Sequence, residues 1–172
     1  MYQLAYPYLV LLTFALSLRF VPYARRLAIK LRTIDIPHER KMHEGVRPRL
    51  GGVAIYAAFM VVLFSHLAGY LSLKDSPWFR QYFSVLGEQA TFLPAALPKL
   101  VAILVGVTIM AGLGFVDDRR GMGFSYKIKF ALQFLAAGIL LLADIRTTLF
   151  PGNLLNSVVT IFWVVGITNA FN

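Results

Sequence analysis

Five stretches of mostly apolar residues alternate with charged segments along the chain. They lie near residues 4–24, 51–71, 99–116, 126–143 and 154–171, and each is close to the roughly 20 residues that a membrane-spanning helix needs. The second stretch is the cleanest, whereas Asn156, Thr160, Thr168 and Asn169 make the fifth the most polar. The pattern predicts an all-α, polytopic integral membrane bundle of about five transmembrane helices, with residues 1–172 forming a single membrane domain.

The basic residues are shared unequally between the segments that join these stretches. Cytoplasmic segments of membrane proteins carry an excess of lysine and arginine. With the N-terminus outside, thirteen of the 17 basic residues fall on the cytoplasmic side and four, at Lys74, Arg80, Lys99 and Arg146, fall on the outer side. This bias predicts an outside N-terminus, cytoplasmic loops near 25–50 and 117–129, and an outer loop near 72–98.

The composition supports a membrane protein and argues against a soluble domain, a nucleic-acid-binding protein and a disulfide-bonded protein. The chain is 58% hydrophobic and 15% charged, with a mean hydropathy of +0.68, and a soluble domain of this length could not bury so much apolar surface. A net charge of +9 would suggest nucleic acid in a soluble protein, but the orientation bias accounts for it, so no nucleic acid partner is expected. The absence of cysteine excludes disulfides and thiolate metal sites.

The densest basic cluster lies directly before the second apolar stretch, in the segment RKMHEGVRPRLGG at 40–52. Paired glycines at a helix start let a phosphate approach backbone N–H groups, where the helix dipole favours anions. A topology signal attracted to anionic lipid is the alternative, although it requires neither the histidine nor the glycines. The candidate phosphate- or substrate-binding residues here are Arg40, Lys41, His43, Arg49, Gly51 and Gly52.

A carboxylate pair, Asp117 and Asp118, follows the third apolar stretch on the same predicted cytoplasmic face. Acidic residues contribute little to orientation, so topology does not explain the pair. One or two carboxylates can hold Mg²⁺ whose remaining ligands are phosphate and water, and a carboxylate can also act as base or nucleophile. A surface pair matched by Arg119 and Arg120 is the alternative. Asp117 and Asp118 are therefore both catalytic and metal-ligand candidates.

A third polar group, Asn169 and Asn172, lies at the inner end of the fifth stretch. Residues three apart share one face of a helix. By themselves these amides indicate helix capping or interhelical hydrogen bonding, and substrate binding is the second interpretation.

Taken in order, IDIPHERKMHEGVRPRLGG, GFVDDRRGMGFSYKIKF and TNAFN resemble the cytoplasmic signatures of the polyprenyl-phosphate N-acetylhexosamine-1-phosphate transferases. The RPRLGG segment resembles the branch that uses UDP-N-acetylglucosamine or a related UDP-hexosamine and that starts O-antigen, common-antigen or teichoic-acid linkage assembly. The resemblance implies transfer of a sugar-1-phosphate from the UDP-sugar to undecaprenyl phosphate, with Mg²⁺ (or Mn²⁺) as cofactor and UMP as product. It also implies a bacterial plasma-membrane enzyme with a cytoplasmic active face, and a homodimer is among the expectations.

Several alternatives stay open at this point. The phospho-N-acetylmuramoyl-pentapeptide transferases of peptidoglycan synthesis rank second, and a non-catalytic module that binds anionic lipid through the 40–49 loop is a third interpretation. A transporter fits least, because charged residues cluster at helix ends and transport sites tend to lie near the bilayer midplane. The family continues beyond TNAFN with a further acidic stretch, so the chain is expected to be the N-terminal part of a longer transferase, with another metal ligand beyond Asn172.

Overall fold

A computed structural model describes residues 4–35, 47–83, 92–120 and 123–170. Helices make up most of this part of the chain: α1 (Ala5–Lys30), α2 (Gly51–Leu73), α3 (Pro77–Tyr82), α4 (Leu93–Arg119), α5 (Tyr126–Leu142) and α6 (Asn153–Ala170). Two short strands, β1 (Ile34–Asp35) and β2 (Arg47–Pro48), form the pairing between α1 and α2. The all-α prediction is confirmed.

Four helices in the described ranges, α1, α2, α4 and α6, are long and apolar enough to cross a membrane. Helix α5 has 17 residues, which gives about 25 Å at 1.5 Å per residue and is short of the roughly 30 Å hydrocarbon core. The fifth transmembrane span and the outside N-terminus therefore stay predictions. The chain is a multi-pass membrane protein.

Two compact units make up the chain. The first contains the described residues of 1–88 together with 115–123, and the second contains those of 89–114 and 124–172. Helix α4 contributes to both, because its last turn belongs to the first unit and the rest belongs to the second. The prediction that residues 1–172 act as one membrane domain stays a prediction.

Helices α1 and α2 form an antiparallel hairpin that is closed by small side chains. Ala24 and Ala28 on α1 are buried, as are Ala54 and Ala58 on α2. Small residues let two backbones approach closely, which is how helices associate where lipid removes the hydrophobic driving force. At the other end of the hairpin, the Tyr8 hydroxyl lies 3.2 Å from His66 Nε2.

Helix α1 ends in a left-handed turn that leads into the strand pairing. Arg32 has φ +55°, its N–H donates to Ile29 O at 3.1 Å, and the Thr33 N–H donates to Ala28 O at 2.8 Å. These two bonds are those of a Schellman cap. Strands β1 and β2 then pair antiparallel with Asp35 opposite Arg47, so the two ends of segment 36–46 are held side by side.

The predicted outer loop near 72–98 contains more helix than expected. Ser76 accepts a hydrogen bond from the Phe79 N–H at 3.2 Å, and Pro77 follows it, the usual arrangement for a helix start. Helix α4 also begins at Leu93 rather than near 99, because Pro94 lies in its first turn, where a missing N–H costs little. Before α3, a hydrogen bond from Arg80 and the charge of Lys74 lower the pKa of the exposed Asp75.

Polar side chains of α6 hold the segment that precedes this helix. The amide of Asn156 accepts from the Phe150 N–H at 3.0 Å and donates to Phe150 O at 2.7 Å and Gly152 O at 3.0 Å. The Thr147 N–H donates to Thr160 Oγ1 at 2.9 Å. Asn156 and Thr160 are buried, and buried polar side chains need such partners. Two of the four polar residues that weaken the fifth apolar stretch, Asn156 and Thr160, therefore support the turn at its beginning.

Replacing Asn156 with leucine should lower the free energy of unfolding by about 2–3 kcal/mol. The substitution removes three hydrogen bonds to the backbone of Phe150 and Gly152, and each such bond is worth about 0.5–1.5 kcal/mol net. Reversible unfolding in mixed micelles measures the loss. The matched control is Asn153→Leu, the same exchange at an exposed residue of α6. Equal losses for the two variants would contradict the prediction.

Candidate active site

The carboxylate pair lies in the last turn of α4. Asp117 and Asp118 are both half-buried, and neither is without an interaction partner. The negative end of a helix dipole disfavours carboxylates by about 0.3–1 kcal/mol each, so the helix itself gains nothing from acids here. Neighbours on a helix point about 100° apart, and the two side chains therefore face different surroundings. This position suits carboxylates that meet a cation.

Gly123 lies directly against the Asp117 carboxylate. It has φ +68°, and its N–H donates to Arg120 O at 2.8 Å, so the chain turns back after α4. A Cβ built on Gly123 would stand 2.9 Å from Asp117 Oδ1 and 3.4 Å from Asp117 Cγ. The left-handed backbone favours glycine at this position, and a Cβ here would force the Asp117 carboxylate or the turn to move. The sequence interpretation missed Gly123, although a second glycine six residues after Asp117 was the available signal.

The two carboxylates fit a metal ion whose other ligands come from a substrate and from water. Within the described residues, no group of three or more His, Cys, Asp or Glu side chains could hold a metal by itself. Two half-buried carboxylates match the one or two that Mg²⁺ takes from a protein when phosphate oxygens and water complete its shell. Asp117 and Asp118 would hold such an ion.

The start of α2 presents the described part of the basic cluster. Leu50 is buried at 1% exposure and anchors the helix start, while the half-buried Arg49 donates its backbone N–H to Thr33 O at 3.2 Å. Gly51 and Gly52 are exposed, and a Cβ built on either would meet nothing within 4 Å. Packing within the protein therefore does not require these glycines, which leaves their small size available for a ligand.

Asn169 makes an interhelical hydrogen bond, as the first interpretation of this residue predicted. Its Nδ2 donates to Gln133 Oε1 at 2.7 Å and to Val165 O at 2.8 Å, and Gln133 Nε2 donates to Asn169 Oδ1 at 3.3 Å. Gln133 is buried at 1% exposure, so the pair of amides joins α5 to α6. Its part in substrate binding stays a prediction.

A double-mutant cycle should measure this bond. Gln133→Leu and Asn169→Leu should be coupled by about 0.6 kcal/mol, the average for interhelical hydrogen bonds in membranes, because each single change strands the other amide. Unfolding in mixed micelles supplies the four free energies. Thr168→Val is the matched control, since Thr168 Oγ1 donates to Val164 O of its own helix. If the coupling energy between Gln133→Leu and Asn169→Leu were no larger than that between Gln133→Leu and Thr168→Val, the hydrogen bond between Gln133 and Asn169 would be refuted.

The predicted site residues are thus only partly brought together. Asp117, Asp118, Arg49, Gly51 and Gly52 belong to the first compact unit, and Asn169 belongs to the second. The remaining candidates, Arg40, Lys41, His43 and Asn172, lie outside the described residues.

Comparison with known proteins points to one family. Residues 100–172 match the family model of glycosyl transferase family 4. The chain is 29% identical over 160 residues to a probable undecaprenyl-phosphate N-acetylglucosaminyl 1-phosphate transferase of Bacillus subtilis (strain 168), covering 88% of this chain and 37% of the relative. It is 29% identical to an undecaprenyl-phosphate alpha-N-acetylglucosaminyl 1-phosphate transferase of Yersinia pestis, covering 64% and 31%.

A decaprenyl-phosphate N-acetylglucosaminephosphotransferase of Mycobacterium tuberculosis (strain ATCC 25618 / H37Rv) is 32% identical, covering 67% of this chain and 24% of the relative. The chain spans about a third or less of the length of these relatives. No solved structure matches it significantly. The family match includes Asp117 and Asp118, and the longest alignment extends over most of the chain. Over residues 100–172, the chain therefore resembles glycosyl transferase family 4.

Proposed function

We propose that this chain forms the lipid-phosphate side of an enzyme that transfers N-acetylglucosamine-1-phosphate, or a related HexNAc-1-phosphate, from a UDP-sugar to undecaprenyl phosphate. An oxygen of the lipid phosphate attacks the β-phosphorus of the UDP-sugar, the bond from that phosphorus to the bridging oxygen breaks, and UMP leaves. The observation that carries the proposal is that the carboxylate pair and the glycine start of α2 belong to one compact unit. The names of the relatives support the same chemistry.

Phosphoryl transfer depends mainly on positioning and on stabilisation of charge. Arg49, together with Arg40, Lys41 and His43, would neutralise the phosphates, while Gly51 and Gly52 leave room for a phosphate at the helix start. Asn169 and Asn172 stay candidates for substrate binding. Asp117 and Asp118 would hold Mg²⁺ (or Mn²⁺), which when bound supplies charge stabilisation to the phosphates. Either carboxylate also suits the role of base toward the lipid phosphate.

An apolar groove supports a lipid acceptor. A cavity of about 700 Å³ runs between α1 and α2 from Leu9 to Val21 and reaches Gly51, with Ile55 and Phe59 on its other wall. A prenyl tail in this groove would bring its phosphate to the start of α2, beside Arg49. The basic cluster borders an apolar helix because the acceptor has both an apolar tail and an anionic head.

The bias of basic residues supports an active face on the cytoplasmic side of the bacterial plasma membrane. Every relative named above carries N-acetylglucosamine in its name, which favours this sugar over the muramoyl-pentapeptide substrate. The homodimer stays a prediction.

The experiment compares the transferase with a module that only binds anionic lipid. In the full-length protein, scrambling the order of residues 40–52 while keeping their composition should lower UMP release from UDP-N-acetylglucosamine by at least about a hundredfold, because misplaced catalytic groups cost about that much. The control variant reverses the order of the exposed segment Lys74–Asp75, which also keeps the charge. Unchanged, lipid-dependent UMP release in the scrambled variant would remove the 40–52 segment from catalysis, and no UMP release by the unaltered protein would overturn the transferase.

A further inference from the structure

Two arginines enclose one aromatic ring on α1, apart from the candidate active site. Arg19, Tyr23 and Arg26 are spaced four and three residues apart, so they share one face of the helix. The guanidinium carbon of Arg19 lies 5.5 Å from the centroid of the Tyr23 ring, and that of Arg26 lies 5.8 Å from it. All three side chains are exposed. We call this group the arginine–tyrosine stack.

The stack carries positive charge that no carboxylate of the described residues neutralises. Helix α1 contains no acidic residue, and in the described ranges neither Arg19 nor Arg26 pairs with a carboxylate. Arg19 also lies eleven residues before the end of α1, within the span that is apolar enough to cross a membrane. Charged side chains at such positions are costly and usually mark a functional partner. The face of a ring offsets only part of the charge, so an anion from outside the protein has a place here.

An apolar groove lies beside the stack. A cavity of about 330 Å³ between α1 and α2 is lined by Tyr23 itself, by Phe20 and Leu27 on α1, and by Val53 and Ala57 on α2. Its floor is the close helix contact at Ala24 and Ala54, both buried. The groove therefore offers hydrocarbon walls directly next to two cations. Such a combination suits a molecule with an apolar chain and an anionic phosphate.

We propose that the stack and this groove bind an anionic glycerophospholipid from the leaflet in which α1 ends. Its phosphate would lie against Arg19 and Arg26, and one acyl chain would lie between Phe20 and Ala57. Charge complementarity supports this lipid, because its phosphodiester is an anion and Arg19 pairs with no carboxylate in the described residues. A glycerophospholipid is favoured over the prenyl acceptor because the acceptor has a groove of its own, the one that reaches Gly51. Both grooves lie between α1 and α2, but they share no lining residue. The stack and its groove do not depend on the proposed transfer reaction, whereas the preference for a glycerophospholipid rests on the proposed place of the acceptor.

Native mass spectrometry of the full chain, released from nanodiscs of phosphatidylcholine mixed with phosphatidylglycerol, tests the site. The unaltered protein should retain one phosphatidylglycerol, and the double variant Arg19→Gln and Arg26→Gln should bind it at least about a hundredfold more weakly, as expected when two hydrogen bonds to a charged phosphate are lost. Arg25→Gln with Lys30→Gln is the matched control, since it removes equal charge from the same end of α1 but leaves the stack intact. Ala57→Leu, which keeps both arginines, should also lose the lipid because it fills the groove.

Thermal unfolding in phosphatidylcholine alone shows that each variant is folded. Equal loss of phosphatidylglycerol in the Arg25 and Lys30 control would overturn the site in favour of general attraction to the membrane. Retention in Ala57→Leu would remove the groove from the proposal. A parallel measurement with undecaprenyl phosphate separates the two lipids: retention of that lipid in place of phosphatidylglycerol, dependent on Arg19 and Arg26, would overturn the glycerophospholipid and assign the stack to the acceptor.

Discussion

Replacing Asp117 with asparagine in the full-length protein should lower UMP release from UDP-N-acetylglucosamine by at least about a hundredfold. The amide keeps the size of the side chain but removes its negative charge, so it neither binds a metal ion as a carboxylate does nor accepts a proton as a base, a role worth about 10²–10⁴-fold in rate. The measurement is UMP formation that depends on added undecaprenyl phosphate, at several Mg²⁺ concentrations.

Two companion variants make the Asp117 result specific. Asp75→Asn is the control, because Asp75 is exposed, lies outside the candidate site and pairs with Arg80 at 3.1 Å, and its loss should leave UMP release unchanged. Asp118→Asn separates the two carboxylates, which face different directions on α4. If Asp117→Asn released UMP at the original rate, Asp117 would have no catalytic or metal-binding role, and the proposed site would have to rest on Asp118.

Replacing Gly123 with alanine should lower UMP release by about a hundredfold as well. The new Cβ would stand 2.9 Å from Asp117 Oδ1, closer than van der Waals contact allows, and alanine is also strained at φ +68°. The carboxylate or the turn must therefore shift, and a shift of about 1 Å in a reacting group costs about a hundredfold in rate. Lipid-dependent UMP release measures the effect.

Gly114→Ala is the matched control for Gly123. It is the same exchange in the same region of the chain, and a Cβ built on Gly114 meets nothing within 4 Å, so activity should persist. The pair of variants Asp117→Ala and Gly123→Ala tests the contact itself, since removal of the carboxylate should relieve the clash and restore part of the unfolding temperature lost in Gly123→Ala. Equal activity in Gly123→Ala and Gly114→Ala would show that Gly123 does not position Asp117.

The hydrophobic pattern was sufficient to place the five long helices approximately, although not the short α3. The stretch predicted near 51–71 is α2 at Gly51–Leu73, and the stretch near 126–143 is α5 at Tyr126–Leu142. Runs of apolar residues determine helix position because an isolated backbone in lipid must satisfy its own hydrogen bonds. Prediction was poorer at α4, which begins six residues before the expected 99, because proline in a first turn is compatible with a helix.

The chemistry-bearing residues could be found in the sequence only where their type was informative. Asp117 and Asp118 stood out because topology gives no reason for acids at that place. Gly51 and Gly52 stood out beside a basic loop, and the space around them is open, while their part in phosphate binding stays a prediction. Gly123 did not stand out, because a glycine in a loop has many local explanations and its contact with a carboxylate depends on how the chain returns after α4.

By itself, therefore, the sequence determined the helical class, the membrane environment and the identity of the polar residues that need an explanation. Only the tertiary structure decided what those residues contact: Asn156 supports the turn before α6, Asn169 pairs with Gln133, and Gly123 faces Asp117. The physical reason is the range of the interactions. Helix formation depends on neighbours within about four residues, whereas the partner of a buried polar group can come from any segment that the fold brings near.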